Sequence, residues 1–213
     1  MKKLLSNISI GVEAMILSSL HFAIMGVSVK LLSITKISLF EIIFYRGFIS
    51  TLMIFASFYK NPPKNNGKKL FFLIFRGFTG SVAINIYFYN IATMTLANST
   101  TFSNTAPIFT LIFSSFLLKE YLSKKYWFLV FISFIGIIFI SKPDIMNMTV
   151  YDYFGILNGV FAAFSYIIIR YIKDSYDTRI IVLSFTIQGT FSAIFLLLIT
   201  KQSFSIPDFY QVF

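Results

Sequence analysis

The sequence predicts an all-α polytopic membrane protein, a bundle of transmembrane helices with an inverted internal repeat. Three observations lead to this fold class. Of the 213 residues, 57% are hydrophobic and only 12% are charged. A soluble domain carries about 25% charged residues, so this chain has too little polar surface to cover a water-exposed globule. The apolar residues also form stretches of about 20, the length that crosses a bilayer.

Seven apolar stretches have the length and composition of transmembrane helices. The first one follows two lysines but lacks a small-residue cleavage site, so we expect a retained helix rather than a signal peptide. Short polar connectors separate the stretches, the clearest being 60–69, with two prolines, one glycine and four lysines. The predicted spans are 11–32, 38–59, 70–91, 97–118, 126–142, 153–172 and 180–200.

Lysine and arginine are distributed unevenly between the two sides of these spans. With the N-terminus inside, 13 of the 18 cations flank the inner ends, Arg76 among them, and 4 flank the outer ends. Arg46 lies within the second span. The positive-inside rule therefore predicts a cytoplasmic N-terminus in the inner membrane. The net charge of +10 is then a topology signal, and it requires no nucleic-acid partner.

An internal repeat relates the first and sixth spans at an offset of 140 residues. Ala23 falls on Ala163, and Lys30 falls on Arg170, so that a cation ends both helices. Because five spans separate the two copies, the second copy enters the membrane in the opposite orientation. Many secondary transporters share this architecture and bind substrate near the midplane between the copies.

The same offset predicts the organisation of the chain. Residues 1–143 form a five-helix repeat, and residues 144–213 form part of a second repeat, with two helices and the start of a third. A complete second copy would end near residue 283, whereas the sequence ends at Phe213. We therefore expect seven spans of a ten-span protein.

Several loose motifs follow one another in a fixed order along the first five spans. A lysine ends the first span, an aromatic–arginine pair lies in the second, a proline lies in the fourth with a glutamate after it, and the fifth contains a glycine. These are Lys30, Tyr45-Arg46, Pro107, Glu120 and Gly136. In this order and spacing, residues 12–200 resemble the drug/metabolite transporter superfamily of EamA type. Many members have Trp-Gly where this chain has Phe22-Ala23.

The resemblance implies a ten-helix inner-membrane carrier of a small metabolite. We accordingly expect a secondary carrier that works by alternating access. A non-transporting membrane subunit or a non-functional truncated product is the alternative. The expected partners are a small-molecule solute and the lipid bilayer, and a homodimer is one option for assembly. No catalytic residues, cofactor or metal site are expected, because the single histidine has no acid near it in sequence and cysteine is absent.

Polar residues inside the spans are the candidates for a substrate cavity. Asn85 and Tyr89 are four residues apart and so share one helix face. Each such residue has an alternative role as a hydrogen bond that holds two helices together. The candidates are His21, Arg46, Asn85, Tyr89, Asn104, Asn158 and Gln188.

Two of these candidates have sharper alternatives. Arg46 either contacts an anion in the cavity or serves as a structural cation that snorkels outward or pairs with a carbonyl. His21 either carries a coupled proton or contacts substrate, or it is satisfied by a hydrogen bond between two helices.

Four further residues are candidates for gating or structure. Lys30 and Glu41 lie near the outer ends of adjacent helices, where a salt bridge would serve as a gate or a static clamp. Pro107 removes a backbone donor and predicts a kink in the fourth span. Glu120 lies at the inner water boundary, where we expect it to anchor the helix.

Overall fold

The computed structural model describes residues 10–35, 37–63, 67–117, 123–141 and 149–201. The elements in these residues are eight helical segments. They are α1 (Ile10–Leu32), α2 (Leu39–Lys60), α3 (Leu70–Thr93), α4 (Leu96–Ser103), α5 (Ala106–Leu117), α6 (Lys124–Ser141), α7 (Val150–Ile172) and α8 (Thr178–Thr200).

Five of these helices are long and apolar enough to cross a membrane, namely α1, α2, α3, α7 and α8. They match the predicted first, second, third, sixth and seventh spans to within a few residues. The prediction of an all-helical polytopic membrane protein is therefore confirmed.

The predicted fourth span is divided into two helices. Helix α4 ends at Ser103, and α5 begins at Ala106, one residue before Pro107. Because proline has no N–H group, Pro107 cannot donate the helical hydrogen bond to the Ser103 carbonyl. The sequence predicts a kink at Pro107, whereas the structure interrupts the fourth span just before this residue, so the single helix predicted over 97–118 is wrong. The predicted fifth span corresponds to α6, which has 18 residues.

The offset of 140 residues relates helix bounds as well as residues. It superposes the sequence limits of α1 on those of α7, and the limits of α2 on those of α8 to within one residue. Helices α1 and α7 each have 23 residues. The offset found in the sequence therefore also relates the bounds of these helices, and the inverted repeat itself stays a prediction.

The core of the bundle lies between helices of the two predicted repeats. Helix α3 packs against both α7 and α8, α8 also packs against α2, and α7 also packs against α4 and α5. One buried cluster of this core includes Ile43, Tyr87, Phe88, Ile91 and Ala193. By contrast, α1 and α6 lie at the periphery, with most of their side chains exposed.

Glycines allow the core helices to approach one another closely. A Cβ atom placed at Gly77 of α3 would lie 2.6 Å from the carbonyl oxygen of Ser184 on α8. A Cβ atom at Gly47 of α2 would lie 3.2 Å from the carbonyl oxygen of Thr186. Small residues commonly serve this purpose at helix contacts within membranes.

Two cations tie the helices together at the end of the bundle where α2 ends and α8 begins. The Arg179 guanidinium donates to the Asp177 carboxylate at 2.7 Å, to the Ser57 hydroxyl at 3.1 Å and to the Asn61 carbonyl at 2.8 Å. Its hydrogen bonds lower the pKa of Asp177 below the ordinary value. At the same end, the Lys69 ammonium donates to the Tyr171 carbonyl at 3.0 Å.

Candidate functional site

A cavity of about 160 Å³ lies in the core where α2, α3, α7 and α8 meet. Both predicted repeats contribute to its walls, with aromatic rings from α1 and α8 and polar groups from α2, α3 and α7. The polar lining includes Arg46, Arg76, Tyr87, Asn158, Ser165 and Tyr166.

Arg46 reaches this cavity from α2. At a rise of 1.5 Å per residue, it lies about 10 Å from the start of its helix and so well within the span. Its guanidinium carbon is 5.4 Å from the ring centroid of Phe185 and 5.7 Å from that of Phe88. Aromatic faces attract a cation electrostatically, so these two rings hold the guanidinium against the cavity wall.

Arg76 reaches the same cavity from α3. Its guanidinium carbon is 5.3 Å from the Phe185 ring centroid, so one ring supports both arginines. The Nε and Nη1 atoms are buried without a hydrogen-bond partner. Gly80, one turn later on α3, makes room for this side chain, because a Cβ atom there would collide with Nη1.

The described lining of the cavity carries positive charge without a compensating acid. Neither Asp nor Glu contributes to its lining, and among the described residues no carboxylate forms an ion pair with Arg46 or Arg76. An arginine costs about 2.5–3.5 kcal/mol at the centre of a transmembrane helix on insertion scales, and Arg46 and Arg76 lie within their spans rather than at the flanks. Two arginines in one cavity are therefore expensive features of the fold, of the kind found where polar solutes pass.

Three further polar side chains at the cavity have unused hydrogen-bonding capacity. The Tyr87 hydroxyl, the Ser165 hydroxyl and the Asn158 Oδ1 atom are buried and lack a partner. The Asn158 amide is fixed, since its Nδ2 atom donates to the Ala83 carbonyl on α3. Buried polar groups are nearly always paired in folded proteins, so these atoms mark a place where a solute or water binds.

The structure brings Arg46 and Asn158 to the cavity and uses two other predicted residues to join helices. The Asn85 amide donates to the Ser192 hydroxyl at 2.9 Å, which links α3 to α8. The Gln188 amide donates to the Ile74 carbonyl at 3.0 Å and links the same two helices.

The remaining predicted residues lie away from the cavity. His21 is on the exposed face of α1, with Nδ1 2.7 Å from the Leu17 carbonyl of its own helix. Tyr89 is 38% exposed and packs against the rings of Tyr151 and Phe154. Asn104 is exposed at the break between α4 and α5. The sequence predicts that all these residues line one cavity. The observed cavity has a different lining, because most of the predicted residues form hydrogen bonds or ring contacts within their own helix or with one neighbouring helix.

The candidate gating residues occupy structural positions at helix ends. The Lys30 ammonium donates to the carbonyls of Ile91 and Met94, both at 2.9 Å, and so joins α1 to the last turn of α3. Glu41 is fully buried in the capping box of α2, opposite Ser38. A Lys30–Glu41 salt bridge stays a prediction. Glu120 lies outside the described residues.

Sequence reasoning missed Arg76 as a cavity residue. The positive-inside count assigns Arg76 to the cations that flank the inner ends of the spans. In the structure this residue lies about 9 Å inside α3. Two signals were present in the sequence. Arg76 lies within the apolar stretch rather than before it, and Gly80 follows at helical spacing.

Comparison with known proteins agrees with this architecture. Residues 9–142 match the EamA-like transporter family. The chain belongs to this family. It is 34% identical over 186 residues to an uncharacterized transporter of Helicobacter pylori, an alignment that covers 84% of this chain and 61% of that protein. The chain therefore spans about three fifths of the length of this relative.

Other relatives carry the names of particular solutes. The chain is 31% identical over 185 residues to the pseudopaline exporter CntI of Pseudomonas aeruginosa, with coverage of 86% of this chain and 65% of that protein. It is 29% identical over 146 residues to an S-adenosylmethionine uptake transporter of Rickettsia bellii, with coverage of 67% and 49%. No solved structure matches the chain at a significant level. These relatives are transporters rather than enzymes.

Proposed function

We propose that this protein is a secondary carrier that moves a small organic solute across the cytoplasmic membrane by alternating access. The observation that carries the proposal is the polar cavity between helices of the two predicted repeats. Carriers with inverted repeats bind solute near the midplane at this interface, where the two copies can rock against each other. Relatives that transport solutes in both directions, by their names, support the general activity.

Alternating access requires that the two ends of the bundle open in turn. At one end, Arg179 joins α8 to α2, and Lys69 joins α3 to α7. At the other end, Lys30 joins α1 to α3. Opening either end exchanges these few charge-assisted hydrogen bonds for water. The interrupted fourth span at Pro107 adds a point where α4 and α5 can move separately, since no continuous helical ladder joins them.

The N-terminus and the Arg179 end are proposed to face the cytoplasm, as the positive-inside rule predicts. The chain has no cysteine, so single cysteines report sidedness cleanly. An impermeant thiol reagent should label Thr35→Cys on intact cells and should label Asn61→Cys only after permeabilisation. The reverse pattern would contradict this orientation.

Transport itself is tested with purified chain in proteoliposomes. The vesicles are loaded with an equimolar mixture of L-malate, L-glutamate, glycerol 3-phosphate, malamide, L-glutamine, L-lysine and glycerol, and the released solutes are measured by mass spectrometry. We expect saturable release of at least one solute above protein-free vesicles. A folded chain that releases none of them would favour the alternative of a non-transporting membrane subunit.

A matched pair of variants ties the flux to the cavity. Ala162 lines the cavity, so Ala162→Trp should fill it and abolish saturable release. Gly136 of α6 has open space around its Cα, so Gly136→Trp adds the same bulk at the periphery and should retain release. Equal flux from both variants, at equal amounts of folded protein, would place the transport path elsewhere.

A further inference from the structure

We infer that the cavity binds a small organic anion, a carboxylate or a phosphate ester, which also carries a hydroxyl or amino group. The inference rests on the proposed function and gives the chemical class of its solute. Arg46 and Arg76 would hold the anionic group, and Asn158 would accept a hydrogen bond from the hydroxyl or amino group.

The charge of the cavity favours an anion over a neutral or cationic solute. Two guanidinium groups contribute to the lining, and no carboxylate does. Within the bundle the effective dielectric constant is lower than in water, so the electrostatic attraction between unlike charges is stronger than in bulk solvent. A cationic solute would meet two like charges there without a counter-ion from the described lining, and it would be repelled.

Both arginines border the same cavity and the same aromatic ring. Both guanidinium carbons lie against the ring of Phe185, at 5.4 Å and 5.3 Å from its centroid. Stacking on an aromatic face occupies the plane of a guanidinium and leaves its N–H groups free to donate at the edge. Arg76 has such donors available, because its Nε and Nη1 atoms are buried without an acceptor. Carboxylates and phosphates are the anions that this planar donor group recognises best.

The other unpaired atoms indicate that the ligand is more than a bare anion. Asn158 presents Oδ1, which can only accept a hydrogen bond and has no partner, while its amide nitrogen donates one of its two N–H groups to the Ala83 carbonyl. Chloride or sulfate has no donor for this atom, whereas a hydroxy acid, an amino acid or a sugar phosphate has one. The volume of about 160 Å³ also exceeds the roughly 30 Å³ that one water molecule occupies in the liquid.

Binding is tested first, separately from transport. The purified full chain is equilibrated with the seven-solute mixture, unbound solutes are removed, and the retained ones are identified by mass spectrometry. The mixture contains matched pairs of similar size: malate with malamide, glutamate with glutamine, and glycerol 3-phosphate with glycerol. We expect retention of at least one anion in preference to its neutral partner. Retention of neutral solutes or lysine alone, or of nothing above the heat-denatured chain, would overturn the inference.

Variants then assign the retained anion to the arginines. Arg46→Gln and Arg76→Gln should each weaken its binding by roughly 10–100-fold, the loss typical of a hydrogen bond to a charged group. Arg76→Lys keeps the charge and should lose less. Lys173→Gln removes a cation from the exposed end of α7 and should bind as the parent does. If the glutamine variants fold and bind the anion unchanged, the inference is wrong. If the glutamine variants fold poorly, Arg76→Lys is compared with the parent instead. An unchanged affinity of Arg76→Lys for the anion would contradict the inference as well.

The flux experiment separates this inference from the proposed function. Retention of an anion without release from proteoliposomes would leave the anion site standing and refute the carrier activity. Saturable release of a neutral solute, without retention of any anion, would keep the carrier and refute the anion site.

Discussion

Helices α1 and α7 occupy equivalent places in the two predicted repeats but very different surroundings. They have the same length, and their best membrane windows have similar mean hydropathy, 1.7 for α1 and 1.5 for α7. Yet 11% of the α1 window is buried, against 44% of the α7 window. Hydropathy therefore identifies both as spans and does not distinguish the peripheral helix from the core helix.

The polar residues of the two helices show what separates them. On α1, the hydroxyls of Ser18 and Ser19 donate to the Met15 carbonyl of the same helix. On α7, the Asn158 amide donates to α3, and Ser165 borders the cavity. A polar group that satisfies itself on its own helix can face lipid at little cost, whereas one that needs another helix or a solute has to face inward. The difference lies in where each hydrogen bond goes.

The largest expected effect comes from bulk added at one equivalent position in each helix. Gly159 of α7 corresponds to Ser19 of α1, and a Cβ atom at Gly159 would lie 3.2 Å from the Phe109 ring and collide with the Thr105 hydroxyl. Gly159→Leu should lower the stability by about 1–3 kcal/mol or more through overpacking. Ser19→Leu, on an exposed face, should change it little. Thermal unfolding in detergent compares the two, and equal losses would mean that α1 is packed as α7 is.

A smaller difference is expected from removing one hydrogen bond at another equivalent pair, Asn158 and Ser18. Asn158→Ala loses a bond between α7 and α3, a contact that contributes about 0.6 kcal/mol on average in membranes and up to about 1.7. Ser18→Ala loses only a bond within α1 and should be nearly neutral. Unfolding in increasing concentrations of a denaturing detergent measures the free energy of unfolding of both variants. A Ser18→Ala loss as large as that of Asn158→Ala would contradict the distinction.

Local mobility offers a third comparison. The attachment of α1 to the core includes the Lys30 bonds to Ile91 and Met94. Lys30→Met should therefore speed amide exchange in the second half of α1 by several-fold while leaving α7 unchanged. Lys173→Met, at the exposed end of α7, is the matched control. Unchanged α1 exchange in Lys30→Met would show that other contacts hold this helix.

The smallest effect concerns pH at the end of the bundle. Because Arg179 lowers the pKa of Asp177 in the folded protein, the carboxylate favours folding above its unfolded pKa, near 3.9. This contribution should be lost as the pH falls through the lower, folded pKa. The unfolding temperature of the parent should thus decline more steeply below pH 4 than that of Asp177→Asn. Parallel curves for the two proteins would show that Asp177 does not contribute to the pH dependence of the unfolding temperature.

The fold was largely predictable because bilayer crossing constrains a sequence strongly. Apolar length located five spans, Pro107 indicated a kink in the fourth, and the offset of 140 residues matched the bounds of α1 with those of α7 and those of α2 with those of α8. The division of 97–118 into two helices was not predicted, although residues 98–105 are polar except for Phe102 and so carry a signal of the interruption. In a membrane such a break depends on neighbours that satisfy the freed backbone groups.

The site was predictable only in part, because a polar residue does not reveal its partner. Arg46 and Asn158 line the cavity, but His21 bonds its own helix, and Asn85 and Gln188 bond a neighbouring one. Arg76 was missed for the opposite reason, since a cation near a helix start resembles a topology signal. Only the packing of α3 against α7 and α8 distinguishes these cases.

The most direct test of a solute cavity between the repeats is the accessibility of Ser165. This residue is buried, borders the cavity and differs from cysteine by one atom. In a chain that has no other cysteine, Ser165→Cys should react with an impermeant thiol reagent added from either side of the membrane. Transported solute should slow both reactions, while Ser18→Cys on the exposed face of α1 should react from neither side. Reaction of Ser165→Cys from one side only, with or without solute, would contradict alternating access through this cavity.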